Sequence, residues 1–217
     1  MLALLVEALQ ETLIMVFSSG FIAILFGFPL GLFLCVSQKN HLFEYPTFSK
    51  ILYTIVNSAS SLPFVALMIL MIPLTNMITS VQSNRFMAIL PLTVAAIPLF
   101  AQMISDTFNR LPKELMQVGF LCGAQPIKIV TKILIPEAFP NIVQSIHQLF
   151  VRLIAYSTVA GILGAGGLGQ FLLEYGYKDF HLSSIFAVIS VLLVLIQITQ
   201  SLFDFLIYDK IKPFNNY

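Results

Sequence analysis

The stretch Asn109 to Pro140 reads NRLPKELMQVGFLCGAQPIKIVTKILIPEAFP, and it is the one long segment of the chain that is amphipathic rather than apolar. Leu111, Leu115, Val118 and Cys122 recur at i, i+4, i+7 and i+11, one stripe of an α-helix. Gly123 follows where a helix C′ residue with positive φ belongs. Pro126 then stands where a second helix begins, because a first-turn proline sacrifices no hydrogen bond. Ile127, Val130 and Leu134 form one side of that helix and Lys128 and Lys132 the other, with Pro136 and Pro140 expected to close it. The spacing therefore predicts helix, tight turn, helix and stop, more structure than a passive connector needs.

Working outward, the 217-residue chain is 58% hydrophobic and only 10% charged, with a mean hydropathy of +0.93. Soluble domains carry roughly 25% charged residues, so this chain cannot cover a water-facing surface. The composition predicts an all-α integral membrane protein. A net charge of +1 argues against a nucleic-acid partner. Cys35 and Cys122 both fall near one side of the membrane and read as small apolar residues rather than a disulfide.

A span takes about 20 apolar residues. Segments 12–36, 51–77, 87–108, 141–163 and 184–208 qualify, which makes five transmembrane helices with the ends on opposite sides. Lys39, Lys50, Arg110, Lys113, Lys128, Lys132, Lys210 and Lys212 fall on one side, and Arg85 and Lys178 on the other. Positive residues gather in the cytosol, so the N-terminus is expected outside and the C-terminus and the 109–140 loop inside. Glu7, Glu11, Glu174 and Asp179 then face outward. The start lacks a basic leader, which predicts an uncleaved first span. Residues 1–217 read as a single transmembrane domain.

Several features interrupt the apolar runs. Met1 to Glu11 reads either as an interfacial helix or as the plain start of span one. Gly27 and Gly31 flank Pro29 and suit close helix packing or, alternatively, a hinge. Span two carries Asn57, Ser58, Ser60 and Ser61, then Pro63, which frees a backbone carbonyl near Ala59. In lipid that carbonyl needs a partner, so this face is expected to line the interior, as a substrate path or as polar packing. Span three holds Pro91 and Pro98, which predict a kink. Span four holds Arg152, a charge about 16 Å in from Asn141 at 1.5 Å per residue. An intramembrane charge faces the bundle interior with a partner. The candidates are a substrate carboxylate, the carbonyls near Ala59 and Ser60 at similar depth, or Asp204 for packing alone. His147 reads as a packed histidine.

After span four, Gly164 to Gly169 match G-x-G-x-x-G literally, with Gly164, Gly166 and Gly169 at its glycine positions and Gly167 between them. The dinucleotide reading needs a preceding strand and a soluble βαβ unit, and a membrane span precedes this one. The glycines instead predict a tight re-entrant turn in which backbone approaches backbone. No P-loop, H-E-x-x-H or G-x-S-x-G occurs, and His41, His147, His181 and the two cysteines form no metal-ligand pattern. The chain is expected to catalyse nothing and to bind no metal.

The Asn109–Pro140 loop resembles the coupling loop of the membrane subunits of ABC importers, whose pattern is Glu-Ala-Ala, a glycine, then a hydrophobic run ending in proline. Gly123 and Ile135-Pro136-Glu137-Ala138 match, while Gln117 and Val118 stand where that family has Glu-Ala. The stretch from Tyr156-Ser157 through Gly164–Gln170 to Tyr175-Gly176-Tyr177, and the Ser61-Leu62-Pro63-Phe64 run of span two, resemble the methionine uptake branch of type I importers. There a basic residue commonly precedes the serine; here Ser60 does.

The resemblance implies a permease subunit of the bacterial inner membrane that forms a homodimer. Cytosolic ATPase subunits, which would bind the ATP and Mg, are implied to dock on Gln117, Gly123, Ala124, Pro126, Lys128, Lys132 and Pro136. An extracytoplasmic binding protein is implied to deliver methionine to the outer glycine loop. Ser60, Ser61, Pro63, Arg152, Tyr156 and Ser157 are implied to lie along the path. Two alternatives remain: the same class with another amino acid, a phosphonate or a quaternary amine, or a secondary transporter without an ATPase, which would be expected to hold several buried ionisable groups.

Overall fold

A computed structural model describes residues 2–37, 46–78, 84–112 and 114–211. The described residues form helices α1 (Leu2–Val36), α2 (Pro46–Ser60), α3 (Phe64–Ile78), α4 (Asn84–Asn109), α5 (Glu114–Leu121), α6 (Pro126–Ile129), α7 (Ile135–Ala160), α8 (Gly167–Phe171) and α9 (Leu182–Ile211), with no strand among them. Four helical runs are long and apolar enough to cross a membrane, and α2 with α3 makes a fifth as a pair bent by 90°. The side-of-membrane count rests partly on Lys39, Lys113 and Lys212, which lie outside the described residues.

The segment Met1–Glu11 is not a separate interfacial element: from Leu2 onward it is the first part of α1, which runs unbroken to Val36. α1 and α4 make the centre of the bundle. They run parallel, Gly27 against Ile97 and Phe100 and Gly31 against Ala101 and Ile104. A Cβ on Gly31 would collide with the Ala101 carbonyl oxygen, so these glycines serve close packing across Pro29. α4 is one helix despite Pro91 and Pro98. The main core joins Met15, Ala23, Leu92, Phe100 and Ile104 to Leu149 and Leu153 of α7.

Two proline expectations need correction. Pro136 and Pro140 do not stop the helix: the chain stays helical from Pro126 through Ala160 and enters the fourth span without a break. Val130–Leu134 is wound as a wide π-helical turn, and the Ile135 N–H reaches back to the Val130 carbonyl. Pro136 then falls in the first turn of α7, where its missing N–H costs least. Pro63 does more than kink its span. α2 ends at Ser60 and α3 starts at Phe64, so the helix is broken. The Ala59 carbonyl accepts from the Leu62 N–H at 3.3 Å and needs no partner from another span.

Candidate functional site

Three places carry polar or apolar groups that a lipid-embedded bundle does not need for itself. The first is the loop between α4 and α7. α5 ends in a Schellman motif: Gly123 takes φ +69, its N–H donates to the Phe120 carbonyl at 2.9 Å, and the Ala124 N–H to the Gly119 carbonyl at 3.1 Å. Gln125 is extended at φ −65, ψ 146, and Pro126 opens the next helix. The turn is thus built as its sequence predicts. Leu111 and Leu115 are half-buried, but the tight contact is Gly119, where a Cβ would sit 2.8 Å from Ile129 Cγ1. Ile129, Val130 and Leu134 face inward. Val118, Leu121 and Ile127 are 55%, 87% and 68% exposed. Gln117, Cys122, Lys128, Lys132 and Pro136 are exposed around them, with Ala124 and Pro126 half-buried. The loop therefore presents an apolar tip ringed by amide and ammonium groups.

The second place is the break in span two. Gln102 of α4 accepts from the Ser60 hydroxyl at 2.5 Å and donates to Asn57 Oδ1 at 3.0 Å, and Ser61 donates to the Asn57 carbonyl at 2.7 Å. Ser60 is therefore partnered by Gln102 and not by Arg152. Pro63 is exposed at the break, and Phe64 just after it stacks on Tyr156 of α7 at 4.5 Å and 7°. Ser157 is buried and donates to Ile154 within its own helix, which turns it away from this polar group.

Arg152 lies elsewhere, on a cleft of about 260 Å³ between α4 and α7. Met103, Asp106, Thr107 and Arg110 line one wall, and Asn141, Gln144, Ser145, Gln148 and Arg152 the other. The cleft faces α4, while His147, five residues before Arg152, turns toward Phe203 of α9 at 5.6 Å. This separation keeps Arg152 from Asp204, and Arg152 enters no ion pair among the described residues. The sequence carried a signal for this cleft that composition hides. Asn141, Gln144, Gln148 and Arg152 recur at i, i+3, i+7 and i+11, a polar helical stripe within an apolar span, and Asp106 and Arg110 stand one turn apart opposite it. A larger groove of about 470 Å³ between α1, α7 and α9, lined by Phe17, Phe150 and Ile154, is almost wholly apolar and suits lipid.

The third place is the glycine turn. Gly164, Gly166 and Gly167 take φ +98, +92 and +74, and the chain lays Gly166–Gln170 against Thr158–Gly161. Two side chains of α1 hold it: the Gly167 N–H donates to Glu11 Oε2 at 2.8 Å and the Leu168 N–H to Thr12 Oγ1 at 2.9 Å. Glu11 was expected to face outward, and no sequence signal places it on this turn, 156 residues away. Glu174 accepts from Gln170 at 2.8 Å, and Lys178 and Asp179 stand exposed. Loss of a capping oxygen costs about 1 kcal/mol. Thr12→Val and Glu11→Ala are each expected to lower the melting midpoint of the purified protein by a few degrees, and a double variant no less stable than either single one would contradict the cap.

The family of binding-protein-dependent transport system inner membrane components matches residues 27–210. The chain belongs to that family. Among relatives of this inner membrane component, the probable D-methionine transport system permease protein MetI of Vibrio cholerae is 36% identical over 204 residues, 94% of this chain and 91% of that protein. The D-methionine transport system permease protein MetI of Salmonella typhimurium is 37% identical over 161 residues, 74% of each chain. An inward facing structure of the MetNI methionine ABC transporter superposes with a TM-score of 0.92 at 34% identity, covering 97% of both chains. An amino acid ABC transporter reaches a TM-score of 0.80 over 95% of this chain at 12% identity, a likeness of fold alone.

Proposed function

We infer that this chain is the membrane-spanning permease subunit of an ATP-driven importer and forms the path for methionine. The observation that carries this reading is the loop. A rigid helix–turn–helix exposes Val118, Leu121 and Ile127 beside Lys128 and Lys132, in a chain whose relatives along nearly its full length are permeases of D-methionine transport systems. Apolar side chains held out on a loop are costly in water unless a partner covers them.

On this reading residues 1–217 are one transmembrane domain with the N-terminus and the glycine turn outside and the Asn109–Pro140 loop and C-terminus in the cytosol. A cytosolic ATPase subunit covers the apolar tip and supplies the ATP and Mg site, which this chain does not. A second copy of the chain covers the polar break at Asn57, Ser60, Ser61 and Pro63, which lipid alone would leave unsolvated. The path runs past that break, Tyr156 and Arg152, with Ser157 packed behind it. A binding protein outside delivers cargo near Lys178 and Asp179. Closure of the ATPases shifts the pair of permeases between inward-open and outward-open populations. A gradient-driven carrier would leave the apolar tip of the loop without an occupant.

Reconstitution with its ATPase and binding protein in lipid vesicles tests the reading. Labelled methionine is expected to accumulate only with ATP on the loop side. Uptake driven by an ion gradient without ATP would contradict it.

A further inference from the structure

We propose that the cleft between α4 and α7 is a transient station for a zwitterionic α-amino acid, with Arg152 receiving its carboxylate and Asp106 its ammonium group. The inference rests on the permease reading above and adds to it a place and a chemical basis for cargo choice inside this chain.

The cleft holds one carboxylate and two guanidinium groups. Asp106 of α4 and Arg110, one turn on and just past the end of that helix, stand on one wall, where the guanidinium acts on the carboxylate, and Arg152 stands exposed on the facing wall of α7 with no ion pair among the described residues. A guanidinium within a span is expensive unless something pairs with it, and a carboxylate matches its fork of donors. The hydroxyls at the cleft are already committed. Thr107 and Ser145 join across it at 3.0 Å, and each bonds a carbonyl of its own helix at 2.9 Å. Recognition therefore falls to the charges and to the exposed amide of Gln144. Met103 offers the one apolar wall for a side chain.

Size and charge narrow the ligand. The cleft of about 260 Å³ lies below the roughly 300–1,000 Å³ of pockets for drug-sized ligands and suits a single amino acid. A quaternary amine would meet two guanidinium groups, and a phosphonate would meet Asp106, so each lacks one of the two matches. The cleft also sits in the half of the bundle nearest the α5–α6 loop, since Arg110 directly follows α4 and Asn141 lies just past that loop. Cargo held there is a short distance from release.

The test uses the assembled transporter with Gln148→Cys introduced beside Cys122→Ser, Cys35 being buried. The rate of maleimide labelling at position 148 reports occupancy of the cleft. Methionine is expected to slow labelling several-fold. The amine lacking the carboxylate, 3-(methylthio)propylamine, and the acid lacking the ammonium group, 4-(methylthio)butanoic acid, are expected to leave it unchanged. Adding Arg152→Gln or Asp106→Asn is expected to abolish the protection by methionine. Equal protection by all three compounds, protection that survives Arg152→Gln, or no protection by methionine would each overturn the station. ATP-driven methionine uptake by the unmutated transporter, measured alongside, separates this failure from that of the permease reading: if uptake is present the station alone falls, and if it is absent the permease reading falls too.

Discussion

Gly169→Ala is expected to destabilise the protein more than Gly164→Ala does, although only Gly164 has positive φ. Gly169 lies in α8 with an ordinary helical backbone, but a Cβ there would run into the Thr158 carbonyl carbon and oxygen and the Gly161 Cα. All are backbone atoms, and no rotamer change clears them. Overpacking a core position costs about 1–3 kcal/mol, and a clash with backbone at several points belongs at the upper end or beyond. Gly164 takes φ +98 with nothing within 4 Å of an added Cβ, so alanine there suffers backbone strain of roughly 1–2 kcal/mol and no collision. Thermal melting of the two purified variants checks the order, with Gly169→Val expected not to yield folded protein. A Gly169→Ala protein as stable as the Gly164→Ala one would mean that the turn is not packed against α7 as described.

Replacing the apolar tip of the loop by charge is expected to uncouple the protein without unfolding it. Leu121 and Ile127 are among the most exposed large apolar residues of the chain, and the Schellman turn and the Gly119–Ile129 contact that shape the loop do not use their side chains. Leu121→Asp with Ile127→Asp therefore leaves α5, α6 and the spans in place. Each large apolar side chain buried against a partner contributes about 1.5–3 kcal/mol, so losing two weakens docking by about 100-fold or more, and the carboxylates add their own desolvation cost. The expected result is a permease that purifies with unchanged melting behaviour but without its ATPase, and ATP-driven uptake at background. Full uptake in this double variant would place the docking surface elsewhere.

What the sequence revealed follows the range of the forces involved. Gly123 and Pro126 were legible because a left-handed C′ residue and a first-turn proline act within a few residues of themselves, and the turn was built as expected. The spans were legible for the same reason, since hydropathy is summed locally. Pro136 and Pro140 misled because proline is read as a stop. Here the Val130–Leu134 turn widens and the helix goes on. The apolar stripes include Val118 and Ile127, which stand exposed, because periodicity finds an apolar face without saying whether it meets this chain or another.

Contacts between distant segments were out of reach. Nothing near Glu11 announces that its carboxylate will receive the Gly167 N–H, and nothing near Ser60 announces Gln102 rather than Arg152. The polar stripes Asn141, Gln144, Gln148, Arg152 and Gln102, Asp106, Arg110 lie between these cases. Each is a local pattern, yet only the packing of α4 on α7 makes a cleft of them, and it leaves out Gln102, which turns to Ser60 and Asn57.

The central claim is that this chain is a permease driven through the Asn109–Pro140 loop by a separate ATPase. Its most direct test is purification of the tagged chain from its own membrane in mild detergent, with quantitative mass spectrometry of what comes with it. The account predicts a P-loop ATPase in a one-to-one ratio, lost in the Leu121→Asp, Ile127→Asp variant. Recovery of the unmutated chain without any ATPase, in a preparation that still transports methionine when reconstituted, would contradict it.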